Sequence, residues 1–447
     1  MDTQNTFRIG TGAGFSSDRL EPALDLIRHG RLDAIVFECV GERTLAFGHR
    51  DRRANPKRGY NPLLERRMRA VLPLALAAGT RVITNMGVAN PLAAAQRTVE
   101  IAAELGLKGL KVAAVTGDEI SHLIGPDTPL LEPGCRLSET GREMLAANAY
   151  LGIEAILPAI EAGADVIITG RVADPSLFLA PMAHHFSWQP DDWRTLGAGT
   201  AVGHLLECAA QVTGGYFADP GHKDVPNLAY VGFPLAEVTA DGGAVITKLE
   251  QSGGLVSQRT VKEQLLYEVH DPSAYLTPDV SANFSQVHLA DDGQDRVRVN
   301  QADGAPRPKQ LKVTIAFDGG FLAEAEISYA GPGAAERARM AGDIVAERMD
   351  KLHGSNAPIR IDLIGVSALH ASAVDYPATA QDVRLRCAMR ASSEAEAEML
   401  LWEVEALLCC GPAAGGGYRG HVTPSVMTYS TFVDRGDVQP RLEILST

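Results

Sequence analysis

The sequence predicts an α/β protein. Its N-terminal part reads as a Rossmann-like, mostly parallel sheet with helices on both faces. A smaller C-terminal α+β domain with β-β-α repeats follows. Three observations carry this. Short β-type apolar runs alternate with stretches of helical period through residue 180. Glycines, lone carboxylates, Asn and Arg fall just after those runs. From about residue 310 the order changes to paired strands followed by a helix. The first domain is placed at 1–300, with an irregular extension over 181–300, and the second at 301–447.

The first strand reaches Ile9 and gives way to Gly10-Thr11-Gly12-Ala13-Gly14-Phe15-Ser16-Ser17-Asp18. A helix over 19–29 follows, with Asp18 as N-cap and Gly30 as its stop. Ala34-Ile35-Val36-Phe37 is a strand ending in Glu38, and a helix over 63–78 ends at Gly79. Arg81-Val82-Ile83-Thr84 ends in Asn85-Met86-Gly87, and Pro91 fits the first turn of a helix that runs to Leu105. Lys111-Val112-Ala113-Ala114-Val115 ends in Thr116-Gly117-Asp118. Helical segments are expected to begin at Ser138 and Ile153, flanking Gly152. Val166-Ile167-Ile168 ends in Thr169-Gly170-Arg171-Val172-Ala173-Asp174. In an open parallel sheet the C-terminal strand ends line one crevice, and ligands bind there. Five strand ends with unusual chemistry therefore suggest one shared site.

Beyond 181 the pattern is less regular. A helix over 199–212 precedes Thr213-Gly214-Gly215. Thr260-Val261-Lys262-Glu263 has the capping-box pattern and opens a helix to 267 or 268, and Pro272 forbids its continuation. Strands over 311–317 and 321–328 are joined by Asp318-Gly319-Gly320, a hairpin signal. A helix over 334–352, strands over 359–364 and 383–390, a helix over 394–408 capped by Ser392 or Ser393, and a strand over 426–433 complete the order.

The net charge of −14 opposes nucleic acid as partner, because phosphate neutralisation needs basic surface, and it opposes anionic membrane. Six cysteines without a C-x-x-C pair form neither a zinc nor a disulfide framework, which suits a cytoplasmic setting. No run approaches the roughly 18 apolar residues of a membrane span.

The glycine loop at 10–18 departs from G-x-G-x-x-G, because Phe15 stands where the third glycine would fall. Its amides either bind phosphate or carboxylate through Gly12 and Gly14, or it is a structural turn. Arg171 at a strand end can clamp a carboxylate or phosphate in bidentate fashion, and Asp174 can hold that Arg or act as a base. The alternative is a structural Arg–Asp pair. Glu268, His270, Asp271, Tyr275 and Asp279 gather acids, an imidazole and a phenol within a dozen residues, dense enough for acid/base chemistry or an oxygen-and-nitrogen metal site. The alternative there is a capped helix end and a turn. Gly415-Gly416-Gly417 suits a mobile lid or a close approach to a ligand or subunit. Cys409 and Cys410 have no base placed beside them by sequence.

The loop at 10–18, Phe37-Glu38-Cys39, Asn85-Met86-Gly87, Thr116-Gly117-Asp118, Thr169 to Pro175, Gln211 to Phe217, Gly232-Phe233-Pro234, Glu263 to Pro272 and Tyr275 to Val280 occur in order. This series resembles the acyclic terpene utilisation AtuA family, in the form without an appended C-terminal ferredoxin-like domain. The resemblance covers nearly the whole chain. It implies catabolism of terpenoid or branched acids, in some members as coenzyme A thioesters. It also implies a small ferredoxin-like partner subunit.

The expected function is a catabolic enzyme of small carboxylates or their acyl-CoA esters, a lyase of hydratase or dehydratase type. Glu38, Asp174, Glu268 and His270 are the acid/base candidates. Gly12, Gly14, Asn85, Gly117, Asp118, Arg171, Thr213 and Gly214 are the substrate-binding candidates. No cofactor is firmly implied, a coenzyme A moiety is allowed on the substrate, and metal use stays open. A homo-oligomer is expected, because glycine-heavy strand-end loops often close against a neighbour. Two alternatives remain: a subunit completed by a small partner, and a thioester hydrolase or acyl transferase acting through a Cys or a carboxylate.

Overall fold

The N-terminal strands form where the sequence offers continuous apolar runs, as strands buried on both faces require. The computed structural model describes residues 6–368 and 380–447. They divide into a larger unit, 1–316 with 428–447, and a smaller one, 317–427. The expected boundary at 300 thus moves to 316. The last twenty residues, expected in the smaller domain, belong to the larger unit.

The larger unit begins β1 (Thr6–Ala13), α1 (Glu21–His29), β2 (Ala34–Phe37), α2 (Glu42–Ala54), α3 (Leu64–Ala78), β3 (Arg81–Thr84), α4 (Pro91–Glu104) and β4 (Lys111–Thr116). It continues β5 (Met144–Ala149), α5 (Ile153–Glu161), β6 (Val166–Thr169), α6 (Asp174–Phe186) and α7 (Trp193–Glu207). Then come β7 (Pro234–Thr239), β8 (Ala244–Lys248), α8 (Gln258–Leu266), β9 (Tyr275–Leu276), β10 (Ser281–Asn283), β11 (His288–Asp291), β12 (Arg296–Asn300) and β13 (Asp303–Ala305).

β1, β2, β3, β6 and β4 pair in parallel, in that order. The first three are laid down in one direction, unlike the two-way winding of the 3-2-1-4-5-6 Rossmann order. The whole sheet has ten strands and is mixed. β7, β8, β12 and β11 extend it antiparallel beyond β1, so the irregular extension supplies one flank. The chain's final strand, Arg441–Ser446, pairs antiparallel with β4 on the other edge.

Side chains alternate across the sheet. Ile35, Phe37, Val82 and Ile168 share one core with Leu26, Met68, Val71 and Ala95 from α1, α3 and α4. α6 and α7 pack on each other and on β1, and α5 packs on α6.

Three local expectations are corrected. Asp18 does not cap α1, because its carboxylate accepts from the amides of Gly14 and Arg19, and Leu20 holds the N-cap position without a side-chain bond. Residues after Ser138 form one short 3₁₀ turn and then β5 instead of a helix. α8 is capped by Ser257, with Thr260 at its third position.

The smaller unit takes residues from 317 onward of β14 (Gln310–Ala330) and residues up to 427 of a strand over Gly416–Asp434. Between them lie α9 (Ala334–Lys351), β15 (Ile359–Ile364), β16 (Asp382–Ala391) and α10 (Glu394–Cys410). β16 pairs antiparallel with both β15 and β14, giving strand–helix–strand–strand–helix–strand instead of repeated β-β-α. The hairpin at Asp318-Gly319-Gly320 is absent, because β14 runs through it. A Cβ on Gly319 would lie 2.8 Å from the Val426 amide nitrogen, so this glycine admits a neighbouring backbone and does not turn the chain.

Candidate functional site

Four of the five parallel strands, β2, β3, β4 and β6, each deliver one polar group to the sheet's C-terminal end. After β2, Glu38 is buried, and its Oε1 accepts from the Val40 amide at 2.8 Å and the Asn85 Nδ2 at 2.9 Å. Asn85, after β3, also accepts from the Cys39 amide at 2.7 Å. After β4, Asp118 Oδ2 accepts from the Arg171 amide and from Asn148 Nδ2, each at 2.8 Å. Asn148 Oδ1 in turn meets His49 Nε2 at 2.7 Å. After β6 comes Arg171, 3% exposed.

The guanidinium of Arg171 is the hub. It donates to the Val40 carbonyl, lies 3.1 Å from Asp174, and stacks with its central carbon 4.0 Å from the Tyr150 ring centroid. Tyr150 donates its hydroxyl to Glu42 at 2.5 Å, and Lys312 Nζ stands 3.2 Å from Glu42. Helix α6 begins at Asp174, so the carboxylate sits at the positive end of the helix dipole.

These neighbours push the carboxyl groups apart. Burial, then the charge of Asp174, raises Glu38 to about 8, against Arg171 and Asn85. Burial also works against charge on Glu42, but Arg171, Tyr150 and Lys312 outweigh it and hold Glu42 at about 2. Asp174 is raised by burial against the pull of Arg171. Of these two coupled groups, Glu38 takes the proton first, because neutral N–H donors meet its oxygen while Asp174 faces the guanidinium directly. Burial opposes the charge of Arg171, but Asp174, Tyr150, Glu42 and Glu38 hold its pKa above the ordinary value.

A cavity of about 460 Å³ opens over this hub. Arg171, Asp174 and Tyr150 line it, Lys309 and Lys312 add positive charge, and Leu276, Pro308 and Phe432 give apolar wall.

Glu38, Asn85, Asp118, Arg171 and Asp174 are thus brought together, joined by Glu268. Glu268 is exposed, has a left-handed φ of 57°, and lies near enough to Asp174 to oppose its charge. His270 is exposed beside Asp271 and is not part of this group. The glycine loop is filled by protein: a Cβ on Gly12 would meet the Phe37 ring at 2.5 Å, and one on Gly14 the Cys208 carbonyl carbon at 2.5 Å. The Gly14 amide already serves Asp18. Gly117, with φ 99°, admits the Gln439 carbonyl, and Gly214, with φ 105°, packs on Val225. Thr213 donates to the carbonyls of Ala210 and Gly232.

Sequence reasoning missed Glu42, Tyr150, Glu207 and His204. Glu207 and His204 carry a signal in the sequence, an i,i+3 acid and imidazole inside an otherwise apolar, glycine-containing helix. Burial pushes the thiols of Cys39 and Cys208 up, which disfavours a thiolate at either. Cys409 and Cys410 are exposed on α10 of the smaller unit. Among the described residues, no three His, Cys, Asp or Glu side chains are grouped to hold a metal ion, and no helix is long and apolar enough to cross a membrane.

A family model for the acyclic terpene utilisation family protein AtuA matches residues 7–444. No curated protein matches the chain. Among solved structures, the de novo designed protein Ferredog-Diesel is 19% identical over 22% of this chain and 83% of its own, with a TM-score of 0.16.

Proposed function

Because the chain belongs to the acyclic terpene utilisation family AtuA, we propose that it adds water to, or removes it from, an unsaturated or hydroxylated branched carboxylate or its coenzyme A thioester. Membership suggests a role in acyclic terpene utilisation. The reaction is our reading. In it, the C-terminal ends of the parallel strands act as the ligand-holding layer.

One observation carries the reading: Arg171 is ion-paired with Asp174 and within electrostatic reach of buried Glu38, under a cavity with a cationic rim and apolar walls. Two neighbouring carboxyls, one among neutral donors and one facing a guanidinium, can divide the roles of acid and base. Asp174 removes a proton from water as the water oxygen bonds to the β-carbon. Protonated Glu38 delivers its proton to the α-carbon. Arg171 steadies the negative charge that develops on the carboxyl or thioester oxygen between these events. Lys309 and Lys312 draw in the anionic substrate, and the apolar wall takes the branched hydrocarbon.

The test is mass spectrometry of 3-methylbut-2-enoyl-CoA, and of the free acid, incubated with the protein in ¹⁸O-water. The expected product carries one ¹⁸O in a new hydroxyl group, and Glu38→Gln forms it at least about a hundredfold more slowly. Tight binding of both compounds without ¹⁸O incorporation would defeat the reading.

A further inference from the structure

Behind Asp174 lies a second group of polar side chains, on α7 and α8, that the proposed chemistry does not use. Gly203 brings the helices together: a Cβ there would lie 2.8 Å from the Pro175 carbonyl, so α7 runs against the start of α6. Glu207 follows Gly203 by four residues and therefore shares its face, toward Asp174. The end of α7 is fixed at the strand ends, where Thr11 donates to the Leu206 carbonyl at 2.9 Å and Gly14 meets Cys208. His204 Nδ1 holds one oxygen of Glu207 at 2.9 Å, and its ring packs beside Tyr275 and Phe284 in a three-ring cluster. Gln264 donates its amide to the His204 carbonyl at 3.2 Å. Tyr275 also lines the cavity over Arg171, so the two regions adjoin.

Four buried atoms in this region have neither a hydrogen-bond nor an ion-pair partner, Glu207 Oε2, Gln264 Oε1, His204 Nε2 and Arg171 Nε, and beside them Asp174 Oδ1 has only its ion pair with Arg171. Buried polar groups are normally satisfied, so each such atom asks for an occupant. Their chemistry narrows the occupant. Arg171 Nε only donates, whereas Gln264 Oε1 and ionised Asp174 only accept. A carboxylate would leave the acceptors unmatched, and an ammonium would leave the donor unmatched. A hydroxyl accepts from Arg171 Nε and donates to one of the acceptors, and a water beside it, with two O–H bonds, serves the others.

We propose that Glu207, Gln264, Asp174 and Arg171 form a compartment that receives a hydroxyl group of the ligand, with His204 positioning Glu207. The ligand class is a hydroxy acid or hydroxyacyl thioester. This rests on the hydration reading for its placement beside the cavity but not for its hydroxyl selectivity. If hydration is the reaction, the compartment holds the water that is added and the hydroxyl that leaves.

The test uses two probes with one carbon skeleton, 3-hydroxy-3-methylbutanoyl-CoA and 3-methylbutanoyl-CoA, titrated calorimetrically into the full chain. The hydroxylated probe is expected to bind at least about tenfold more tightly. Gln264→Met and Glu207→Gln are expected to reduce that preference to about threefold or less while leaving the affinity for the deoxy probe unchanged. Equal affinity of the two probes for the unaltered protein overturns the proposal. So does a preference that survives both substitutions. A crystal structure decides independently of these ligands: ordered water bonded to Glu207 Oε2, Gln264 Oε1 and Asp174 Oδ1 is expected, and direct pairing of those atoms without water refutes the compartment. Hydroxyl selectivity without ¹⁸O incorporation would sink the hydration reading alone.

Discussion

Arg171 rests its guanidinium 4.0 Å from the centre of the Tyr150 ring, and Tyr150 in turn donates its hydroxyl to Glu42. A planar cation on a ring face, itself oriented by a carboxylate, fixes the direction in which Arg171 offers its remaining N–H. The arrangement leaves Asp174 dependent on Arg171 for compensation.

Arg171→Met is therefore expected to destabilise the protein by about 1–3 kcal/mol, below the order for a fully buried pair because the Asp174 side chain is 33% exposed. Asp174→Asn in that background is expected to recover part of the loss, because no unpaired charge then remains. Urea unfolding of the two single variants and the double variant measures this. Strictly additive effects would mean that the two side chains are not coupled in the folded state.

Glu38 makes stability depend on pH. Its folded value is raised from 4.5 to about 8, so the folded protein holds a proton that the unfolded chain releases. The stabilisation from that proton is complete below about pH 4.5 and is lost as pH rises toward 8. The slope from one such group approaches about 1.4 kcal/mol per pH unit. Asp174 and Glu207 are raised as well and add to the same trend. Glu38→Gln removes one proton's share, so its stability relative to the unaltered protein improves steadily across this window. Urea midpoints measured at intervals from about pH 5 to about pH 8 test this, and parallel curves for the two proteins would contradict it.

Gly14 and Gly41 make a matched pair. A Cβ on Gly14 would stand 2.5 Å from one backbone atom and 2.8 Å from another, whereas Gly41 has open space around it and caps α2. Gly14→Ala must push the end of α7 off the sheet and is expected to cost about 1–3 kcal/mol. Gly41→Ser is expected to be neutral or to stabilise by a few tenths of a kcal/mol, about the gain of a serine cap over glycine. Thermal unfolding of the two variants separates a glycine needed for close approach from one that is not. Equal melting temperatures would remove the packing explanation of the 10–18 loop.

Strand ends were legible because apolar runs of four to six residues stop abruptly at Glu38, Asn85, Gly117 and Gly170, and where a strand stops is set by local sequence. The Arg171–Asp174 pair was legible for the same reason, since three residues separate its members. Long-range partners were not. Glu42 meets Tyr150 across 108 residues, and Tyr150 follows a segment that reads as helix but pairs as β5. Glycine was the main source of misreading. Gly12, Gly14 and Gly319 mark places where another part of the protein needs the space of a Cβ, and composition alone does not distinguish that from a ligand cradle or a turn.

The cysteines separate the lyase reading from acyl transfer through a thiol. Cys39 is buried and its thiol is pushed up by burial, against the pull of Arg67. Cys387 is buried in the smaller unit and pushed up to about 12. A thiol is nucleophilic only as thiolate, so neither is expected to react at neutral pH. Cys409 and Cys410 are exposed at the end of α10. Iodoacetamide added to the folded protein, followed by peptide mass spectrometry, is expected to label Cys409 and Cys410 within minutes and to spare Cys39 and Cys387 until denaturant is added. Alkylation at Cys409 and Cys410 is expected to leave ¹⁸O incorporation unchanged, because no step of the proposed hydration passes through either. Activity lost in proportion to their labelling, with an acyl adduct recovered on one of them, would favour the thioester reading instead.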